Sequence, residues 1–169
     1  TGDVLFRAKG PVTETVDEKT GRLTKIDFLI PDDFNFGFDV VDFWGKNTPD
    51  KTALLWVGEH HEEKTFTFSD MMRLTNKTAN YFRSLGIKKG DRVMLILRRH
   101  YQFWFSIVAL HKIGAIVIPA TDQLMKKDLV YRFNLAGVSA VVISSTGSIV
   151  DEAEKAFEQC DVKTKILVG

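Results

Sequence analysis

The chain has 169 residues, 44% of them hydrophobic and 27% charged, and a formal net charge of +1. That length suits about one domain with a real core, and the near-neutral charge gives no reason to expect nucleic acid or an anionic membrane as partner. A lone Cys160 excludes an internal disulfide framework. No basic-then-apolar leader follows Thr1, and Ser106, His111 and Lys112 interrupt the longest apolar stretch, so a membrane span is not expected and the address reads as cytoplasmic.

Residues 1–27 form a polar N-terminal extension, with a turn at Glu18-Lys19-Thr20-Gly21 between two short strands. An aromatic-rich segment, Ile26 to Phe38, has no regular period and is expected to lie as an extended strap over a neighbouring core. Asp39 then caps a short helix through about Lys46, with Val40, Val41 and Trp44 inward and Thr48-Pro49-Asp50 ending it. Ala53 to Val57 and Lys64 to Phe68 read as a hairpin.

Ser69 is the expected N-cap of the next helix, whose inward stripe is Met72, Thr75, Ala79, Phe82 and Leu85, with Gly86 as the stop. Val93 to Leu97 is a continuous apolar run of the kind covered on both faces in parallel sheets. The stretch Tyr101 to Thr121 organises the rest. Its first half is too apolar for a surface helix, Gly114 offers the left-handed conformation that stops it, and Ile116 to Ile118 predict a buried strand closed by Pro119.

A short helix from Asp128 to Ala136 follows, with Leu129, Tyr131 or Arg132, Phe133 and Ala136 available to the interior. Ala140 to Ile143 is another buried strand, Ser148 to Phe157 an amphipathic helix and Ile166 to Val168 a last strand. From Ser69 onward helices and strands alternate. The fold class is therefore α/β, a mostly parallel sheet flanked by helices, filling residues 28–169.

Five candidates for chemistry stand out. Arg98-Arg99-His100 lies just past the carboxyl end of a predicted parallel strand, where open α/β sheets bind ligands, and two arginines can hold a phosphate or carboxylate. They can equally form a solvated turn or pair with Asp122 or Asp128. Ser144 to Ser148 stands between a strand and a helix, the place for a phosphate cradle, but with one glycine and no near lysine it reads first as a hydroxyl-rich turn with an N-cap. His60-His61-Glu62-Glu63 are metal-type ligands whose adjacent side chains point apart. His111 reads as a packed histidine, and Cys160 has no neighbour to activate it. Read from the residues alone, the chain is a scaffold with no catalytic residue and no metal site assigned.

Several scaffold segments nevertheless carry a resemblance. Phe66-Thr67-Phe68-Ser69-Asp70-Met71, Leu85 to Val93 with its Lys88-Lys89-Gly90-Asp91 turn, and Leu110-His111-Lys112-Ile113-Gly114-Ala115 through Pro119 resemble, in order and spacing, the opening motifs of the adenylate-forming superfamily. That superfamily includes the acyl-CoA synthetases. Pro119 to Leu124, Asp128 to Arg132 and Leu29 to Phe36 are most similar to its medium-chain acyl-CoA synthetase branch. Ala120 stands where that branch often has glycine, and Arg99-His100-Tyr101-Gln102 where a proline and an acidic residue often stand. No arginine falls between Gly147 and Asp151, where acetyl-CoA synthetases hold the CoA phosphate, which favours the medium-chain comparison.

The resemblance implies an AMP-forming acid–thiol ligase. Its carboxylic acid substrate, medium- or short-chain acyl, would react with Mg2+-ATP to an acyl-adenylate and then with CoA. It also implies that ATP, Mg2+ and CoA are held elsewhere. The family's Ser/Thr/Gly-rich loop ending in Pro-Lys, its ribose-binding Asp and its catalytic Lys have no counterpart in these residues. The chain is thus expected to be an N-terminal segment, inactive alone and prone to self-association through apolar surface. The alternative reading is a self-sufficient anion- or nucleotide-binding module.

Overall fold

The computed structural model describes residues 12–28 and 30–169. Leu29 of the expected strap lies outside the described residues. Strands β1 (Val12–Val16) and β2 (Leu23–Phe28) pair antiparallel. Their turn is fixed by Asp17, whose Oδ1 accepts hydrogen bonds from the backbone N–H of Lys19 and Thr20 and from the Thr20 hydroxyl. A π-helical stretch, Gly37–Asp42, runs straight into α1 (Phe43–Asn47). Strands β3 (Thr52–Val57) and β4 (Glu63–Thr67) form the second hairpin. The alternating half follows as α2 (Phe68–Ser84), β5 (Arg92–Ile96), α3 (Gln102–Ile113), β6 (Ile116–Pro119), α4 (Lys126–Ala136), β7 (Ala140–Ser144), α5 (Ile149–Phe157) and β8 (Thr164–Val168).

The last four strands make one parallel sheet in the order β6-β5-β7-β8. Period-two alternation along the central strands divides the core. Val93, Leu95, Ala140 and Val142 face Phe82, Ala109 and Leu110 of α2 and α3. Met94, Ile96, Val141 and Ile143 face Leu129, Phe133, Ile149 and Ala153 of α4 and α5. Both faces of β5 and β7 are therefore covered, which is why their sequences are unbroken apolar runs. A third cluster, with Val41, Met71, Phe105 and Val108 at its centre, joins the π-helical stretch and the β3–β4 hairpin to α2 and α3.

Several local expectations are corrected. The N-cap of α2 is Thr67 in place of Ser69: its side chain accepts from Asp70 N, and Asp70 accepts from Thr67 N, a reciprocal pair that places the cap two residues earlier. The α2 stripe accordingly buries Met71 where Met72 was expected, and Leu85 is 39% exposed. Asp39 does not cap its helix. It sits inside the π-helical stretch and accepts from Asn35 N. Among the described residues strand β6 is an edge strand pairing only with β5, and Ile116 is 51% exposed where burial was expected. Helix α4 starts at Lys126, and Tyr131 and Arg132 point to solvent. Ser148 makes no side-chain capping bond to α5. The strap is also looser than expected: Ile26 to Phe28 belong to β2, and Ile30, Phe36 and Phe38 are each exposed on about half their surface.

Candidate functional site

Strand order determines where a ligand crevice can open. From β5 the chain crosses through α3 to β6 on one side, and from β7 it crosses through α5 to β8 on the other. α3 and α5 lie on opposite faces of the sheet, so the segments leaving β5 and β7 diverge. In an open parallel sheet that divergence is the topological switch point. Two of the sequence candidates meet there: Arg98-Arg99-His100 leaves β5, Ser144 to Ser148 leaves β7, and His100 Nε2 lies 2.9 Å from Ser144 Oγ. Ser144 is fully buried, and its Oγ is also 2.9 Å from Thr146 Oγ1. The hydroxyl is consumed inside the wall of the crevice.

The β3–β4 hairpin closes one side. Trp56 Nε1–H donates to the carbonyl of Arg99, and Trp56 and Phe66 pack on the Tyr101 ring at 5.4 and 5.3 Å between centroids. The Lys64 ammonium sits 4.5 Å from the Tyr101 ring centroid. Arg99 adopts a left-handed φ of 47°, which turns the chain from the strand end toward α3 and is held by the indole bond. The result is a crevice of about 360 Å³ lined by Trp56, Lys64, Arg98, Arg99, His100 and Thr146.

The two candidate arginines differ. Arg98 is bound by two carboxylates, Glu59 Oε1 at 3.1 Å and Asp122 Oδ2 at 3.6 Å, so its charge is already balanced. Arg99 is exposed, and among the described residues no carboxylate lies within ion-pair distance of its guanidinium. At the far end of the hairpin turn, Glu62 folds back and its Oε2 accepts from His60 N. His61 takes a positive φ of 62° in the same turn. Among the described residues no group of three His, Cys, Asp or Glu side chains converges as metal ligands. Cys160 is half-buried, and burial raises its thiol above the ordinary value. Desolvation lowers the half-buried His111, whose Nδ1 has no partner. None of these adds to the crevice.

What sequence reading missed is Lys112. Its side chain is only 1% exposed, and its Nζ donates to Asp42 Oδ1 at 2.6 Å, Thr75 Oγ1 at 2.8 Å and Asn76 Oδ1 at 2.7 Å. All three ammonium protons are thereby used, and one side chain ties the π-helical stretch, α2 and α3 together. Gly37 makes this approach feasible: a Cβ there would overlap the aliphatic stem of Lys112. Desolvation lowers the ammonium's pKa, and the Asp42 carboxylate opposes part of that shift. The available signal was a lysine inside an otherwise apolar helix, but its partners are 37 and 70 residues away and could not be paired by local pattern.

This fold and crevice define a doubly wound α/β unit with its ligand edge at the β5/β7 switch. Residues 41–169 match the AMP-binding enzyme family, and the chain belongs to that family. It is 37% identical over 147 residues to the mitochondrial acyl-coenzyme A synthetase ACSM1 of Mus musculus, covering 82% of this chain and 25% of that protein. It is 36% identical over 121 residues to the mitochondrial ACSM5 of Rattus norvegicus, covering 68% and 21%. A fatty acyl CoA synthetase of Mycobacterium tuberculosis superposes with a TM-score of 0.69 at 22% identity over 79% of this chain and 26% of that one. A long-chain-fatty-acid-CoA ligase of Archaeoglobus fulgidus gives 0.71 at 19% identity over 83% and 29%. Those two likenesses show the fold. The chain spans about a quarter of the length of the first of these relatives. The expected cytoplasmic address is overturned, since these curated relatives are mitochondrial proteins. No helix among the described residues is long and apolar enough to cross a membrane.

Proposed function

We propose that this chain is the N-terminal part of a mitochondrial, AMP-forming acyl-CoA synthetase that converts a medium- or short-chain carboxylic acid, ATP and CoA to acyl-CoA, AMP and pyrophosphate. The supporting observation is the family match over residues 41–169 together with the 37% identity to an acyl-coenzyme A synthetase. In that role the 169 residues supply the sheet and the walls against which further chain assembles. The residues present do not fit a magnesium-bound triphosphate. The crevice offers the Arg99 guanidinium, the Lys64 ammonium and an imidazole, with neither a converging set of carboxylates among the described residues nor a glycine-rich lysine loop in the sequence. The 169 residues alone are inactive. ATP–pyrophosphate exchange with a panel of carboxylic acids tests this. Exchange is expected from the longer protein only, and exchange by the 169 residues above a mock preparation overturns the assignment of their role.

A second reading keeps the crevice as an anion site in its own right, with Arg99 as the binding cation and Arg98 positioned by Glu59 and Asp122. Its support is Arg99 beside His100, with its backbone carbonyl held by the Trp56 indole and its guanidinium without a carboxylate partner among the described residues. Calorimetric titration of the 169 residues with ATP, AMP and CoA checks it: binding lost in Arg99→Ala favours this reading, and silence leaves the scaffold role alone. Self-association would use the outer edge of β8, where no strand among the described residues pairs and Leu167 is 60% exposed. Light scattering reads it.

A further inference from the structure

The larger polar cleft of the molecule lies at the opposite end of the sheet. The turn Gly86 to Asp91 enters β5, whereas Arg98 to His100 leaves it, so the two sites are separated by the length of a five-residue strand, roughly 15 Å. This cleft has a volume of about 650 Å³ and is lined by Asn76, Asn80 and Arg83 of α2, by Lys88 and Lys89 of the turn, and by Phe38. In a chain of net charge +1, three exposed cations here have no carboxylate within ion-pair distance among the described residues.

Two further features make it a receptor for an anion with more than charge to offer. First, buried Lys112 takes Asn76 Oδ1, so the amide Nδ2–H2 is left as the free group of that side chain. Asn80 follows one turn later on the same face of α2, adding a second amide. Second, three C-terminal carbonyls of α2 are already occupied by following backbone N–H groups, which weakens the opposition of the helix's negative end to an anion. Those of Tyr81 and Phe82 accept from Leu85 N, that of Phe82 also accepts from Ile87 N, and that of Arg83 accepts from Gly86 N. The rim thus presents three cations and two amides, beside an apolar wall formed by the half-exposed Phe38 ring together with Ile87 and Ile113.

We infer that this cleft binds a small phosphate-bearing molecule, its phosphate held by Arg83, Lys88, Lys89 and the Asn76 and Asn80 amides, and its organic part laid against Phe38. The volume lies in the range of small-molecule sites. Arginine and lysine together with amide donors match phosphate oxygens in both geometry and charge.

The test is a heteronuclear NMR titration of the 169-residue chain with sodium pyrophosphate and, separately, with AMP at constant ionic strength. Shifts are expected at the Asn76 and Asn80 side-chain amides and across Gly86 to Gly90. The Lys88→Glu/Lys89→Glu variant changes exposed turn residues, so its fold is checked by its thermal melt. It is expected to weaken both ligands by at least about tenfold, and Asn80→Ala, which alters no charge, by a smaller factor. Three results would overturn the inference: shifts confined to Arg99 to Tyr101, affinities unmoved by either variant, or association only with phosphatidylglycerol vesicles and with neither soluble ligand.

Discussion

Replacing Lys112 with methionine isolates the buried ion pair, because the stem volume is nearly kept and the charge is removed. At 2.6 Å the Lys112–Asp42 attraction amounts to ~6 kcal/mol with an effective dielectric constant near 20, and desolvation of the two ions offsets most of it. The net worth of the intact pair is therefore small, and the damage comes from what remains. In Lys112→Met, Asp42 keeps a side chain only 9% exposed with no ammonium, and Thr75 and Asn76 lose their donor. The expected loss is about 3–5 kcal/mol, a large share of the 5–15 kcal/mol typical of a whole domain. Urea unfolding followed by tryptophan fluorescence should show the midpoint falling by roughly 2 M at an ordinary slope. The double variant Lys112→Met/Asp42→Leu should recover at least about 2 kcal/mol relative to the sum of the single changes, since no unpaired charge is left. A single-variant loss under about 1 kcal/mol, or a double variant that costs the full sum, would refute this reasoning.

Other perturbations test local features. Thr67→Ala removes the α2 cap and should cost about 1 kcal/mol by chemical denaturation. The backbone N–H of Thr67 and then Arg73 hold the Asp70 carboxyl below the usual carboxylate range. Its folded pKa being depressed, the stability it adds is present above about pH 4 and is lost as pH falls through the folded value; an acid titration of Asp70→Asn should be flatter there. Gly114 has φ 73° and Lys89 Cγ would lie 3.0 Å from a Cβ, so Gly114→Ala should cost about 1–2 kcal/mol in thermal unfolding. Ser144→Ala removes a fully buried hydroxyl bridging His100 and Thr146 and should cost about 1–3 kcal/mol, read by the same denaturation.

Fold class was readable because the determining signals are local. Continuous apolar runs at Val93 to Leu97 and Ala140 to Ile143 announce strands covered on both faces, and Gly86, Gly114 and Gly137 all take positive φ where helices end. Errors arose where tertiary neighbours choose between equivalent patterns. Ile116 to Val117 has the composition of a buried strand, yet only sheet order makes β6 an edge. Thr67 and Ser69 are both good caps, and the reciprocal bond from Asp70 selects the first. At the crevice, the sequence located both loops but could not join them, since His100 and Ser144 are 44 residues apart. It named Asp122 as a possible partner of the arginines but could not assign it to Arg98 alone, and Glu59 of the hairpin turn was not foreseen. The branch resemblance rested on ordered motifs over most of the chain, which is why family membership was visible when no site was.

The Lys112 junction also dictates when the π-helical stretch can become fixed during synthesis. Asp42, Thr75 and Asn76 leave the ribosome well before the lysine that joins them, and α3, which carries it, must first settle onto α2. Until then the π-helical stretch has a carboxylate pointed at an interior that lacks its counter-ion. Locking of the π-helical stretch thereby waits for a residue 70 positions further along the polypeptide.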